Sequence, residues 1–363
     1  MSFLPLELFK KKDVIAVDIG TSSIKLVELK RKRKVTDEKL YSLENLALTP
    51  LPPDTIVEDE IRRPEILVNT LVELFTGNKI DNKNIVTSLS GRSVIVKKIR
   101  LPKMEEEELA DSIQWEAEQF IPFDINDVDL DFQIINFTDT EPAEMDVLLV
   151  AVKKERILQI MDIIREANLV PAIMDVDVFT LENQHELNYE EDEENCVVLM
   201  DIGAETMNIN IIRRGYSVFT RDASFGGNQY TKLIQHELEL DFQSAEALKL
   251  GEEVEGISPQ LITPLQKSFF EDLIAEIQKS FDYFRTTNEE GNISKIYLSG
   301  GSAKLVGITD FLSEQLELGV EITDPFRKIS IDENKFNLDY IKYIAPMMSV
   351  GVGLALRRVN DRW

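Results

Sequence analysis

Two short stretches of the 363-residue chain combine residue types suited to holding phosphate and a metal. The first is Asp18-Ile19-Gly20-Thr21-Ser22-Ser23, with Lys25 close behind, and the second is Asp201-Ile202-Gly203-Ala204-Glu205-Thr206. In each, a glycine (Gly20, Gly203) lets the backbone turn tightly and offers N–H groups to an anion. The hydroxyls of Thr21, Ser22, Ser23 and Thr206 can donate to phosphate oxygens. Lys25 supplies a compact positive charge. Asp18 and Asp201 repel phosphate directly and make sense beside it when a hydrated Mg²⁺ lies between. One Asp-x-Gly turn is weak evidence, because both residues are common in turns. Two of them, each between β-forming runs and half a chain apart, are much stronger. The plain alternative is a pair of ordinary hairpins in a duplicated fold.

Three further signals have weaker chemistry of their own. Leu298-Ser299-Gly300-Gly301-Ser302-Ala303 reads as a strand entering a glycine turn. Adjacent glycines admit a flat purine against the backbone where a Cβ would collide, and a simple strand-to-helix turn is the alternative. In Ser244–Lys249 (SAEALK), Glu246 and Lys249 are three residues apart on an expected helix and share a face. They can hydrogen-bond a ribose and an adenine edge, or form a surface ion pair of little worth. Gly226-Gly227-Asn228 supplies another backbone turn. The single cysteine, Cys196, opens an apolar run and is expected to be a buried thiol. His185 and His236 have no Cys or His neighbour at metal-ligand spacing, so zinc sites and Cys/His catalysis have no support.

The elements that must position these residues follow from the pattern of apolar positions. Val14–Asp18 and Ile24–Leu29 predict a hairpin around Gly20, followed by a strand near Lys39–Leu46. Arg63–Phe75 has the spacing of an amphipathic helix, and Ile85–Leu89 and Val94–Ile99 read as strands. Four glutamates, Glu105–Glu108, then lead a helix whose apolar face (Leu109, Ile113, Ala117, Phe120, Ile121) runs to Pro122. Strands at Val128–Ile135 and Met145–Val152 and a helix at Arg156–Ala167 complete what reads as a small α+β insertion, and Pro171 is expected to start a loop. Trp115, Phe120 and Phe123 are expected in the core of that unit. Glu190–Glu194 (EEDEE) reads as a solvated connection. After it the opening pattern returns: VVLMDIGAETMNINII sets Asp201 against Asp18 and Gly203 against Gly20, an internal repeat of two related domains. Helices at Asn228–Glu239, Ser244–Leu250 and Pro264–Arg285, a strand at Lys295–Ser299 and a closing helix at Ala345–Arg358 follow.

Composition removes several function classes. Lys+Arg 40 against Asp+Glu 66 gives a formal charge of −26, which repels nucleic acid and anionic lipid. The basic runs Lys30–Lys34 and Lys10–Lys12 read as solvated turns. The longest plain apolar run, Met347–Leu356, contains two glycines and is about half the ~20 residues a membrane-spanning helix needs. At the N-terminus the lysines follow the apolar residues and Glu7 interrupts them, unlike a secretory signal. A cytoplasmic protein is expected, attached to a membrane only through a partner.

The order of D-I-G hairpin, second D-I-G hairpin, G-G, A-E-x-x-K and S-G-G-S-A resembles the actin-like ATPase superfamily over nearly the whole chain. Within it the chain is similar to the PilM family of type IV pilus assembly, which is related to the division protein FtsA. Ile113–Pro122 (IQWEAEQFIP) with its acidic lead-in, Val128–Gln133 (VDLDFQ) and Phe225–Thr231 (FGGNQYT) carry that closer likeness. The resemblance implies an α/β, actin-like fold of duplicated ribonuclease H-like domains with an inserted small α+β subdomain. The first domain would cover 1–190, with the insertion at about 85–165. The second would cover 191–345, with a helical subdomain at about 228–290, and a C-terminal helix at 346–363 would return to the first domain.

The same resemblance implies ATP in the cleft between the halves, with Mg²⁺ held by Asp18 and Asp201 through water. Asp18, Gly20, Thr21, Ser22, Ser23 and Lys25 would form one phosphate loop, and Asp201, Gly203, Glu205 and Thr206 the other. Gly226, Gly227, Glu246, Lys249, Gly300, Gly301 and Ser302 would surround ribose and base. Asp177, in VDVDVFTLEN, matches the acidic position that orients a water or metal in chaperone relatives, with Asp175 an equally acidic neighbour. No arginine finger is evident, so ATP is expected to act as a clamp with at most slow or partner-gated hydrolysis.

The family's partner is the N-terminal cytoplasmic tail of PilN, an inner-membrane protein, held in a groove beside the inserted subdomain. Other pilus assembly proteins and self-association are compatible with this, whereas nucleic acid and direct membrane insertion are not expected. An FtsA-type division filament is a rival reading. That family reaches the membrane by a C-terminal amphipathic helix after a linker, whereas this sequence runs from its closing helix straight to Trp363. A small-molecule kinase of the superfamily needs a sugar-sized pocket that no segment announces.

Overall fold

The computed structural model describes residues 14–32, 39–138, 143–192, 194–287 and 291–358. Lys10–Lys12, Arg33 and Lys34 of the basic runs lie outside them. In the first part of the chain β-forming residues build β1 (Ile15–Ile19), β2 (Ser23–Arg31) and β3 (Tyr41–Pro50). A two-residue ribbon, β4 (Ile56–Val57) and β5 (Glu60–Ile61), precedes α1 (Pro64–Gly77) and β6 (Asn84–Leu89). The inserted unit follows as β7 (Val94–Pro102), α2 (Glu106–Ala117), β8 (Val128–Thr138) and β9 (Glu144–Lys153). Then come α3 (Lys154–Glu166), β10 (Val170–Val176) and α4 (Asp177–Asn188).

The second part opens with β11 (Cys196–Ile202), β12 (Met207–Arg213) and β13 (Tyr216–Ala223). It continues through α5 (Gly227–Leu238), α6 (Phe242–Lys249), α7 (Pro259–Thr287), β14 (Ile293–Ser299), α8 (Ile308–Leu316) and β15 (Gly319–Ile322). β16 (Ile329–Ser330), α9 (Leu338–Ile344) and α10 (Ser349–Ala355) end the described chain.

Two mixed sheets carry the repeat. One has the order β10-β6-β1-β2-β3-β16, the other β13-β12-β11-β14-β15. In each, an antiparallel hairpin abuts a parallel strand. β1 pairs with β2 so that Asp18 faces Lys25, and with β6 in parallel. β11 pairs with β12 so that Asp201 faces Asn208, and with β14 in parallel so that it also meets Ser299. The registers therefore put both aspartates at equivalent strand ends, which is the structural form of the repeat seen in the sequence. The inserted unit is a separate three-stranded antiparallel sheet, β7-β9-β8, with α2 on its core.

Several expectations change. Pro171 does not start a loop: it lies inside β10, an edge strand, where a missing N–H is tolerated, and the register slips between Pro171 and Ile173. Between Pro171 and Glu190, where the sequence pattern names no element, the structure has α4. It is buried on nearly all sides, yet Gln184, His185 and Asn188 are polar, so no apolar stripe announces it. α2 stops at Ala117 rather than at Pro122, with the N–H groups of Phe120 and Ile121 both donating to the Ala117 carbonyl. Trp115 is not in the core of the inserted unit but 75% exposed on α2. Phe120 and Phe123 do pack against that core, under the ammonium groups of Lys97 and Lys153. The chain returns to the first sheet earlier than at 346, because β16 already pairs with β3. Cys196 is buried as expected, and Lys30 and Arg31 are exposed at the end of β2.

Each sheet has its own apolar core, and a further cluster joins them. Val86 and Val27 of the first sheet, Val197 and Leu199 of the second, Leu181 of α4 and Val352 of α10 share that cluster. Here α10 crosses α4 with backbone nearly touching backbone. A Cβ on Gly353 would lie 1.8 Å from the Thr180 carbonyl oxygen, and one on Gly351 would lie 3.0 Å from a Val27 methyl. Gly353→Ala is therefore expected to destabilise the protein by about 1–3 kcal/mol or more, the cost of overpacking a rigid core. Denaturant unfolding of the wild type and variant measures it, and unchanged stability would show that α10 moves aside freely.

Candidate functional site

A cavity of about 660 Å³ opens where the ends of the two hairpins face each other. From β1–β2 its wall takes Asp18, Gly20, Thr21, Ser22, Ser23 and Lys25. From the turn after β11 it takes Asp201, Gly203, Glu205 and Thr206. Gly227 of α5, Glu246 and Lys249 of α6, and Gly300, Gly301 and Ser302 after β14 form another part, and Asp177 enters from the start of α4. Of the glycines singled out from the sequence, Gly226 is not in the wall. A Cβ there would lie 2.6 Å from the Ala204 carbonyl, so this glycine lets α5 approach the second turn.

Hydrogen bonds stitch the turns together. The Gly20 N–H donates to the Ser23 carbonyl at 3.1 Å and the Gly203 N–H to the Thr206 carbonyl at 2.9 Å. The N–H groups of Gly227 and Asn228 donate to the carbonyls of Gly203 and Ala204, and the Ser302 hydroxyl also donates to Gly203. Gly300 is held at φ +89°, with Ile202 so close that no Cβ fits. The expected Glu246–Lys249 pair is more than a surface ion pair. Lys249 is largely buried, donates to Glu246 at 2.5 Å and to the Thr231 hydroxyl at 3.0 Å, and Thr231 in turn donates to Glu246. Burial lowers the Lys249 pKa against the opposing pull of Glu246.

The other end of the cavity is strongly electronegative. Lys25 donates to Asp18 at 2.8 Å. Burial disfavours its ammonium, but Asp18, with Asp201 and Asp177 beyond, outweighs this and its pKa is raised. Asp201 is pushed up to about 6 by burial, with the Ser299 hydroxyl at 2.7 Å working against the rise. Asp177 is also raised, by burial and then by the Asp18 charge, although Ser88 donates to it. Asp175, the acidic neighbour, is not in the wall: it pairs with Arg357 at 3.2 Å.

Three carboxylates thus face one ammonium in a shared, poorly solvated space. Among the described residues no group of three His, Cys, Asp or Glu side chains is placed to hold a metal ion directly. The excess negative charge suits a cation that keeps its water shell, as Mg²⁺ does. The Ser23 hydroxyl, buried in the same wall without a hydrogen-bond partner among the described residues, suits a phosphate oxygen.

Sequence reasoning missed part of the wall. Ser88 near the end of β6, Ser90 just after it, Asp59 between β4 and β5, and Arg156 of α3 all line it. Ser88, at the end of a strand parallel to β1, is the one a topology argument could have found. Asp59 and Arg156 carry no motif.

A family model described as "Type IV pilus assembly protein PilM" matches residues 16–359. The solved structure of a "PilM-PilN type IV pilus biogenesis complex" is similar with a TM-score of 0.83 and 27% identity, covering 97% of this chain and 100% of that one. The ethanolamine utilization protein EutJ from Carboxydothermus hydrogenoformans matches at TM-score 0.52 and 16% identity, over 94% of this chain and 89% of its own. MreB5 of Spiroplasma citri bound to ADP matches at TM-score 0.54 and 13% identity, over 94% of each chain. The last two show fold alone, and it is the actin-like α/β fold.

The crowded carboxylates have a measurable consequence. An acid whose folded pKa lies above its unfolded value of 3.8 holds its proton longer in the folded state. Its stabilising contribution is complete at low pH and is lost as pH rises through about 6. Asp201→Asn keeps an acceptor for Ser299 and removes the charge. The ligand-free variant is expected to be more stable than the wild type at pH 7.5 by on the order of 1–3 kcal/mol. Urea unfolding should also show a flatter stability profile between pH 4 and 6.

Proposed function

The chain belongs to the type IV pilus assembly protein PilM family, and on that premise we propose that it is an ATP-binding scaffold of the pilus assembly platform that captures the N-terminal cytoplasmic tail of a PilN-type inner-membrane protein. The observation that carries this reading is the full-length likeness to a PilM solved with PilN. The tail would lie in a groove between the inserted sheet and the first main sheet. Such a groove suits a peptide held by apolar anchors and main-chain hydrogen bonds. Among the described residues no helix is long and apolar enough to cross a membrane, which accords with recruitment to the cytoplasmic face of the inner membrane through that partner.

The nucleotide reading rests on the composition of the cavity wall. In it, the Gly20–Ser23 turn, the free Ser23 hydroxyl and Lys25 hold one side of the phosphates, and the Gly203–Thr206 turn holds the other. Asp18 and Asp201 would hold a hydrated Mg²⁺ through its waters, and the ion would supply charge neutralisation to the phosphates. Glu246 and Lys249, which line the cavity, would take the ribose, and the Gly300-Gly301 backbone, with Ser302 and Gly227 beside it, the flat purine. Asp177, which lines the same cavity, would accept a proton from, or orient, a water at the phosphate end. Because the ligand would touch both hairpins, its affinity for the closed arrangement exceeds that for an open one, and it clamps the lobes together.

Calorimetry with Mg-ATP and capture assays with a synthetic PilN-type tail peptide test the two halves of this proposal. The wild type is expected to bind both. Asp18→Ala is expected to weaken Mg-ATP binding at least tenfold, and a fall in tail capture alongside would tie cleft to groove. Absence of peptide capture would end the scaffold reading, and absence of ATP binding would end the clamp.

A further inference from the structure

Besides Lys25 and Lys249, the cavity wall contains a buried cation that neither hairpin supplies. Arg156 stands in the first turn of α3, directly after the inserted sheet, and lines the cavity with its side chain only 12% exposed. Its Nη2 lies 3.1 Å from Asp59 Oδ1 and its Nη1 donates to Gln159 Oε1 at 3.0 Å, while its Nε is buried without a hydrogen-bond partner among the described residues. Burial lowers its pKa, with Asp59 opposing. A guanidinium carries five donors in a planar fork. One withdrawn from water with donors unfilled is under tension that an anion would relieve.

Asp59 is held from several sides. It accepts the Ser93 hydroxyl at 3.1 Å and belongs to a turn in which Glu58 and Asp59 both have left-handed backbone, φ 50° and 69°. The Glu58 N–H reaches across the cleft to the Glu205 carboxylate at 2.8 Å. The turn between β4 and β5 thus touches the second phosphate turn with one residue and holds Arg156 with the next. A second cavity of about 450 Å³ adjoins the first. It shares Asp59, Ser90, Glu205 and Thr206 with the first, and Asn228 and Lys232 of α5 as well. It is the Glu58–Glu205 hydrogen bond that sets Asp59, and Arg156 with it, beside the second phosphate turn.

We propose that Arg156 reads the terminal phosphate of a bound nucleoside triphosphate, using the donors that Asp59 and Gln159 leave unfilled, and so distinguishes triphosphate from diphosphate. This rests on the nucleotide reading of the cavity. Lys25 is already committed to Asp18 and cannot alone balance the additional charge of a third phosphate. Asp59 holds the guanidinium at the wall and competes with phosphate for it. Since Arg156 is carried by the helix that leaves the inserted sheet, occupancy by triphosphate is transmitted to that unit and to the groove beside it.

The test is calorimetric titration of the full chain with Mg²⁺ and either ADP or a non-hydrolysable ATP analogue. The wild type, Arg156→Gln, Arg156→Lys and Asp59→Asn are compared, with thermal unfolding of each. Arg156→Gln is expected to lose tenfold or more in affinity for the triphosphate and less than threefold for ADP, and Arg156→Lys to lose less. Asp59→Asn is expected to bind the triphosphate two- to fivefold more tightly with ADP unchanged. If Arg156→Gln fails to fold, the triphosphate-to-ADP ratios of the other two variants decide. An unaltered ratio in every folded variant overturns the inference, leaving the Arg156–Asp59 pair a structural tie. Failure of the wild type to bind either nucleotide overturns the cleft reading itself and this inference with it.

Discussion

Asp18, Asp177 and Asp201 converge on one end of a cavity, around the ammonium of Lys25. Like charges so placed are costly: burial and mutual repulsion push Asp201 up to about 6 and raise Asp177 as well. A fold selected only for stability would not converge three carboxylates from three segments on the same space. The rest of the architecture can be understood as what keeps them there. The β1–β2 and β11–β12 registers place Asp18 and Asp201 at equivalent strand ends, and α4 brings Asp177 in at its first residue. The apolar cluster shared by the two sheets holds the hairpins face to face. The stored repulsion is what a hydrated cation with its phosphates would discharge.

Much of this frame was legible in the sequence, and the reason is local chemistry. In the D-I-G turns a Cβ would crowd the carbonyls of Ser23 and Thr206, three residues on, and Gly300 has a left-handed backbone, so these local demands leave a signal in one dimension. The hairpin repeat was readable for the same reason: alternating apolar strands around a glycine state their own pairing. The inserted unit stood out because its acidic lead-in and the apolar face of α2 follow helical spacing.

What the sequence hid depends on long-range company. α4 packs on nearly every side, so its buried residues are set by neighbours such as Pro325, whose carbonyl accepts from Asn188, rather than by an apolar stripe. Pro171 reads as a break unless it is known that β10 lies at a sheet edge. Trp115 reads as core until the sheet beneath α2 is seen to be filled by Leu109, Ile113 and Ala117. Arg156 and Asp59 are separated by nearly a hundred residues, and their pairing across the cavity follows from the topology of the inserted unit.

The crossing of α10 over α4 ties a remote glycine to the cavity. With Gly353 set against the Thr180 carbonyl, no side chain lies between the two helices at that point. α10 also packs on β1 and β2, the hairpin that carries Asp18 and Lys25. A bulkier residue at 353 would press on the back of that hairpin, because a close-packed interior passes strain on to its neighbours. A position more than three hundred residues from Asp18 in the chain thereby helps to fix where its carboxylate stands.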